Sequence, residues 1–281
     1  MKISLCNEVI REWEIDRQAG FAAELGYDGL EIAPFTLNAH GPSALDADAL
    51  AKIRSTVEAE GISVSGLHWL LVAPDGLSIT EADPATQQRT KQTIDALVSM
   101  CAALGGSYLI HGSPAQRVLP DRGTEAARAR ALDHFRHAAN AANSAKVHYL
   151  VEPLSSAQTA YVNTLADAAA IVSAVDQPYF SAMIDCCSAA QAESTSIPDL
   201  LSQHLPGGLI RHVHFNDPNL RGPGQGDLDF LPIVERLLEL NYDGWIGVEP
   251  FDYVPDGPAS AARAIGTIRA LEEAAKTRNA S

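Results

Sequence analysis

The chain has 281 residues, 46% of them hydrophobic, with 20 Lys+Arg against 35 Asp+Glu for a net charge of −15. That length and apolar share suffice for one large α/β domain or two modest ones. So acidic a chain, without a block of Lys or Arg, argues against nucleic acid as a partner. No apolar run approaches the roughly 18 residues of a membrane span, so no membrane partner is expected. MKISLCNEVIREWEID becomes charged within about a dozen residues, unlike a signal peptide. Cys6, Cys101, Cys186 and Cys187 form no CxxC, and read as reduced, buried thiols of a cytoplasmic protein.

Two patterns alternate along the sequence. Short β-branched apolar runs stand at 2–6, 29–33, 63–70, 107–112, 148–153, 181–186, 210–217 and 245–250, each with the look of a buried strand. Between and after them lie Ala/Leu-rich stretches with helical charge spacing at 11–25, 44–60, 83–104, 122–145, 164–175, 197–204, 230–240 and 258–276. Ser43 and Asn163 are start signals for two of these helices. Tyr27-Asp28-Gly29 and Tyr242-Asp243-Gly244 each follow a helix ending in Gly or Asn, as an αβ turn requires. Eight such units of roughly 30 residues predict a (β/α)8 TIM barrel. A doubly wound sheet would usually carry a Gly-rich turn after the first strand, and LCNEVIRE has none. With no linker or break in composition, one barrel domain over 1–281 is expected.

Polar residues sit where these strands end: Glu31, His68, His111, Glu152, Asp185, His212, His214 and Glu249. One His in an apolar strand reads most simply as a hydrogen-bonded core residue, and one Glu before Pro as a loop cap. The regularity across seven of the eight strands instead matches the C-terminal rim on which barrel active sites are built. Burying that many carboxylates without a cation costs several kcal/mol each, so a metal is expected. Glu152, Asp185, one His and Glu249 make a hard, oxygen-rich donor set, suited to Mn²⁺, Mg²⁺ or Co²⁺ better than to structural Zn²⁺. Strand alternation would point Cys187 the same way as Asp185, and both neighbouring thiols are read as packing.

VEP at 151–153, MID at 183–185, HVHFNDPNLRGPGQGDLDF at 212–230 and YDGWIGVEPF at 242–251 resemble the sugar isomerase/epimerase barrels, the xylose isomerase-like superfamily. That group includes ketose 3-epimerases, hydroxypyruvate isomerases, inosose dehydratases and type IV AP endonucleases. The resemblance spans essentially the whole chain. It implies metal ligation by Glu152, Asp185, His214 and Glu249, with Mn²⁺ first among the candidate ions. His214 is preferred to His212 because it stands just before the xND tripeptide and at the family's distance from Pro223 to Gly226. The implied chemistry is isomerisation or epimerisation of a small sugar or keto-sugar through a metal-stabilised enediolate, with Glu152 and Glu249 exchanging the proton on opposite faces. A homodimer or homotetramer is compatible with the resemblance.

The sequence departs from the ketose 3-epimerase pattern at three substrate positions. Ser188 replaces a His, Gln158 replaces a Glu, and Leu220 replaces a loop Arg, with Arg221 beside it. His68, Trp69, His111, Arg117, Gln158, Ser188, His212 and Arg221 are the candidate substrate contacts, Arg117 for a carboxylate or phosphate. The glycine stretch 222–226 reads as a flexible turn, with a phosphate cradle as the other reading. The same site could serve a dehydratase or decarboxylase of an oxo-sugar acid. A DNA-repair reading after the AP endonucleases is disfavoured by Ser188, by Asp227-Leu228-Asp229 where DxH would stand, and by the net charge of −15.

Overall fold

A computed structural model describes residues 1–279. Eight parallel strands close in sequence order into a barrel: β1 Lys2–Cys6, β2 Gly29–Ile32, β3 Ser63–Leu67, β4 Tyr108–His111, β5 His148–Val151, β6 Phe180–Asp185, β7 Ile210–Phe215 and β8 Trp245–Val248. The helices outside it are α1 Ile15–Leu25, α2 Pro34–Leu37, α3 Ala47–Ala59, α4 Pro84–Leu104, α5 Thr124–Ala145, α6 Leu165–Val175, α7 Cys186–Ala192, α8 Ile197–His204, α9 Leu231–Glu239 and α10 Gly257–Asn279. The (β/α)8 expectation is met. No helix among the described residues is long and apolar enough to cross a membrane.

Local chemistry sets the boundaries. Asp83 accepts from Thr86 N ahead of Pro84, which starts α4, and Thr164 with Asp167 forms a reciprocal capping box on α6. The α3 helix starts three residues later than its sequence signal, because Asp46 rather than Ser43 caps it. Likewise Thr164, not Asn163, caps α6. Both αβ turns before the YDG repeats bend through left-handed residues, Gly26 at φ 87° and Asn241 at φ 52°.

The main core lies between strands and helices, while Tyr108, Ile110, Leu150 and Met183 fill the barrel interior with Trp245 packed against them. Two helices are absent from the sequence expectation. One is α2. The other is α7, which begins immediately after β6 because the Asp185 side chain accepts from Ser188 N at 2.6 Å and caps it. The strand-alternation argument for Cys187 therefore does not apply, since Cys187 lies in α7: Cys186 packs in the core and Cys187 lines the cleft described below.

Candidate active site

The C-terminal ends of the strands bring Glu152, Asp185, His214 and Glu249 together, with one donor atom from each within 4.8 Å of all the others. All four are buried. Register places them: Asp185 pairs with His214 across β6 and β7, and His214 with Gly247 across β7 and β8. Two glycines make the space. A Cβ on Gly112 would lie 1.5 Å from Glu152 Oε2, and one on Gly247 would lie 2.7 Å from both Glu31 Oε2 and His214 Cδ2. Real Cβ atoms do not approach so closely, so these carboxylates and this imidazole require glycine beside them.

Beneath the cluster, Glu31 Oε1 lies 2.8 Å from His214 Nε2 and its Oε2 accepts from Tyr108 Oη at 2.6 Å. That contact leaves His214 Nδ1 facing Glu249 Oε2 at 2.9 Å and Glu152 Oε1 at 3.5 Å, with no hydrogen bond of acceptable angle. His68 lies below the rim, its Nδ1 2.9 Å from Glu249 Oε1 and its Nε2 2.9 Å from Glu8 Oε2. Asn216 ties the site from the side. Its amide donates to Asp185 Oδ2 at 2.5 Å and to the Glu249 carbonyl, and its Oδ1 accepts from Cys187 N.

Burial and mutual repulsion govern the protonation of this cluster. Burial together with the Glu152 and Glu249 charges pushes Asp185 up to about 7, and burial also raises Glu152. Burial works against the ionised form of Glu249 as well, but His214 and His68 outweigh it and draw that carboxyl down to about 2. His68 is held up to about 10 by Glu8 and Glu249 against the cost of burial. Five buried carboxylates (Glu8, Glu31, Glu152, Asp185 and Glu249) thus outnumber the imidazolium groups available to them. Three carboxylates and one imidazole nitrogen without a hydrogen bond, converging on one space, fit a divalent cation.

Above the cluster a cleft opens to solvent, walled by Trp69, Leu154, Gln158, Cys187 and Phe251 with Glu152, Asp185 and Glu249 at its base. Trp69 holds a left-handed φ of 51°, strained for a bulky side chain, and meets Phe251 edge-on at 6.1 Å. Of the residues singled out in the sequence, Trp69 and Gln158 line the cleft, and Ser188 sits behind it with its hydroxyl donating to Gln158 Oε1 at 3.2 Å.

The others lie elsewhere. His111 is fully buried against Tyr149 Oη at 2.7 Å. Arg117, also fully buried, donates to the carbonyls of Glu152 at 2.8 Å and Gly112 at 3.4 Å. His212 stacks tilted on Tyr108 at 4.3 Å, one layer deeper than His214. Arg221 pairs with Asp252 at 2.8 Å. The glycine stretch 222–226 does not cradle an external anion. The Asp217 carboxylate already fills that loop, accepting from Asn219 N and Leu228 N, and a Cβ on Gly226 would lie 2.1 Å from it.

Asn7, Glu8 and Asn216 were not singled out in the sequence. Asn7 and Glu8 follow β1 and are buried, so the rule of polar strand ends applies to the first strand too.

The sequence matches the family described as Xylose isomerase-like TIM barrel over residues 19–271. It is 28% identical over 254 residues to a D-psicose 3-epimerase of Agrobacterium fabrum, covering 85% of this chain and 82% of that one. To a 3-dehydro-D-guloside 4-epimerase of Escherichia coli it is 26% identical, covering 94% and 97%. The solved structure of a 3-keto-D-glucoside 4-epimerase from E. coli shares the fold, with a TM-score of 0.82 at 20% identity over 96% of this chain and 99% of that one.

Proposed function

The chain belongs to the xylose isomerase-like TIM barrel family, and we propose that it is a divalent-metal-dependent epimerase or isomerase of a small sugar or keto-sugar. The observation that carries this is the convergence of Glu152, Asp185, His214 and Glu249 within 4.8 Å at the base of a cleft. The names of the relatives above, two of them curated epimerases of keto-sugars, support it.

Those four residues would hold the cation through carboxylate oxygens and His214 Nδ1, and the oxygen-rich set favours Mn²⁺, then Mg²⁺ or Co²⁺. When bound, such an ion supplies Lewis-acid polarisation of a ketone and a neighbouring hydroxyl. Glu31 holds the proton of His214 on Nε2, which keeps the Nδ1 lone pair directed at the cluster. Glu152 and Glu249 come from the ends of β5 and β8 and reach the base of the cleft from different sides. One carboxylate, ionised at the start, takes and keeps the proton from the carbon next to the carbonyl, and the other, protonated at the start, delivers its own proton to the opposite face. His68 holds Glu249 Oε1 through Nδ1 and is itself held by Glu8, so Glu249 keeps one rotamer through both transfers. Trp69, Leu154 and Phe251 screen the reacting carbon from water.

The test is turnover of a panel of ketoses and keto-sugars by Mn²⁺-loaded protein, followed by chromatography and mass spectrometry. A product of unchanged mass, lost on chelation and restored by Mn²⁺, is expected. A product lighter by water or CO₂ would assign the site to a dehydratase or decarboxylase instead.

A further inference from the structure

The walls of the cleft carry no counter-charge for an anion. Its base holds Glu152, Asp185 and Glu249, and among the described residues lining it none is Lys or Arg. The cations that stand near in sequence are engaged elsewhere. Arg117 is spent on the backbone carbonyls of Glu152 and Gly112, and Arg221 on Asp252. His111 is bonded to Tyr149 and held down to about 3 by burial, so it is neutral. The 222–226 loop is occupied by the protein's own Asp217 carboxylate, which accepts from Asn219 N and Leu228 N. A divalent cation in the cluster offsets only part of this charge, because Glu8, Glu31, Glu152, Asp185 and Glu249 stand against the ion and the His68 imidazolium together.

Above those carboxylates the wall is neutral: Gln158 lines it, with Ser188 and Ser155 held behind its amide oxygen. Ser188 Oγ and Ser155 Oγ both lie 3.2 Å from Gln158 Oε1, and Ser155 N donates to the same oxygen. The amide oxygen is thereby saturated, and Nε2 is left able to donate to a ligand hydroxyl. Trp69, Leu154 and Phe251 offer an apolar face suited to the C–H side of a sugar ring.

Granted the epimerase or isomerase reading above, on which this rests, we propose that the site selects uncharged keto-sugars and turns away phosphorylated and carboxylated ones, with Gln158, fixed by Ser188, as the neutral specificity residue at the cleft wall. Placing an anion over three carboxylates with no cationic side chain at the wall is a like-charge encounter, which disfavours binding.

Calorimetry on Mn²⁺-loaded protein tests it, using a hexitol, the corresponding hexonate and the hexitol 6-phosphate as non-reacting probes. The hexitol is expected to bind on the order of 100-fold more tightly than either anion, and Gln158→Arg to narrow that gap at least ~10-fold. Anions binding as tightly as the hexitol, a gap unmoved by Gln158→Arg, or no binding of any probe would overturn the proposal. Solvent-deuterium exchange into ketoses, run on the same samples, separates the two readings: tight, selective hexitol binding without exchange upholds the charge selection and sinks the epimerase reading.

Discussion

Glu31 Oε1 stands 2.8 Å from Nε2 of His214, and by that contact fixes which nitrogen of the imidazole faces the carboxylates of Glu152 and Glu249. Glu31→Gln keeps the size of the side chain but offers an amide that can turn either way. Metal-ligating histidines typically lose about 10- to 100-fold in metal affinity when such a partner is changed. Titration of the apo protein with Mn²⁺ should show that loss with the fold unchanged by circular dichroism. Unaltered affinity would remove Glu31 from the account.

Gly112 faces Glu152 so closely that any Cβ would overlap the carboxylate. Gly112→Ala should therefore displace Glu152 and cost on the order of 100-fold in kcat/KM, as misplacement by an ångström does. Because Gly112 lies at a strand end with no left-handed φ recorded for it, the melting temperature should move little. A variant with full activity would show that Glu152 need not occupy its present position.

His68 bridges Glu8 and Glu249, all three buried. Removing one partner of a buried charge group strands the others, at a cost of about 3–5 kcal/mol. His68→Ala should lower the unfolding free energy of metal-free protein by that order in a urea titration. Adding Glu8→Gln should recover part of the loss, since one stranded charge is gone. Additive losses would mean that the three do not act as a unit.

His111, whose carbonyl accepts from the Glu152 amide at 3.3 Å, carries a pH signature of its own. Burial holds its folded pKa down to about 3, against the ordinary imidazole value of 6.5. Between those values the unfolded chain binds a proton that the folded protein does not, so stability rises with pH through this window and is lost as pH falls below 6.5. The slope from one such group is about 1.4 kcal/mol per pH unit. Urea midpoints between pH 5 and 6.5 should follow it, and His111→Gln should reduce the slope whatever it does to the midpoint itself. An unchanged slope would show that His111 takes up a proton in the folded state.

Much of this site was legible because strand ends are where buried parallel strands break their own apolar rule. Glu152, Asp185, His214 and Glu249 each interrupt such a run, and the barrel arithmetic puts all four ends on one rim. Roles that depend on side-chain direction were not legible. His68 read as a substrate contact, yet its ring points down between two carboxylates. Arg117 read as an anion receptor, yet it turns inward to backbone carbonyls. The α7 helix escaped notice because its cap is Asp185 itself, so a single residue ends the strand, starts the helix and joins the cluster. Glu8 sits in a stretch that reads in the sequence only as charged, and closure of β1 against β8 shows that it is buried near the site.

The central claim is that Glu249 exchanges a proton with the substrate carbon next to a carbonyl. Wild-type and Glu249→Gln proteins, each loaded with Mn²⁺, are incubated with an uncharged ketose in D₂O, the ion is removed, and deuterium at that carbon is read by NMR. The account predicts steady incorporation by the wild type and a rate about 100- to 10,000-fold lower in Glu249→Gln, with the fold intact by circular dichroism. Equal incorporation by the two proteins would contradict it.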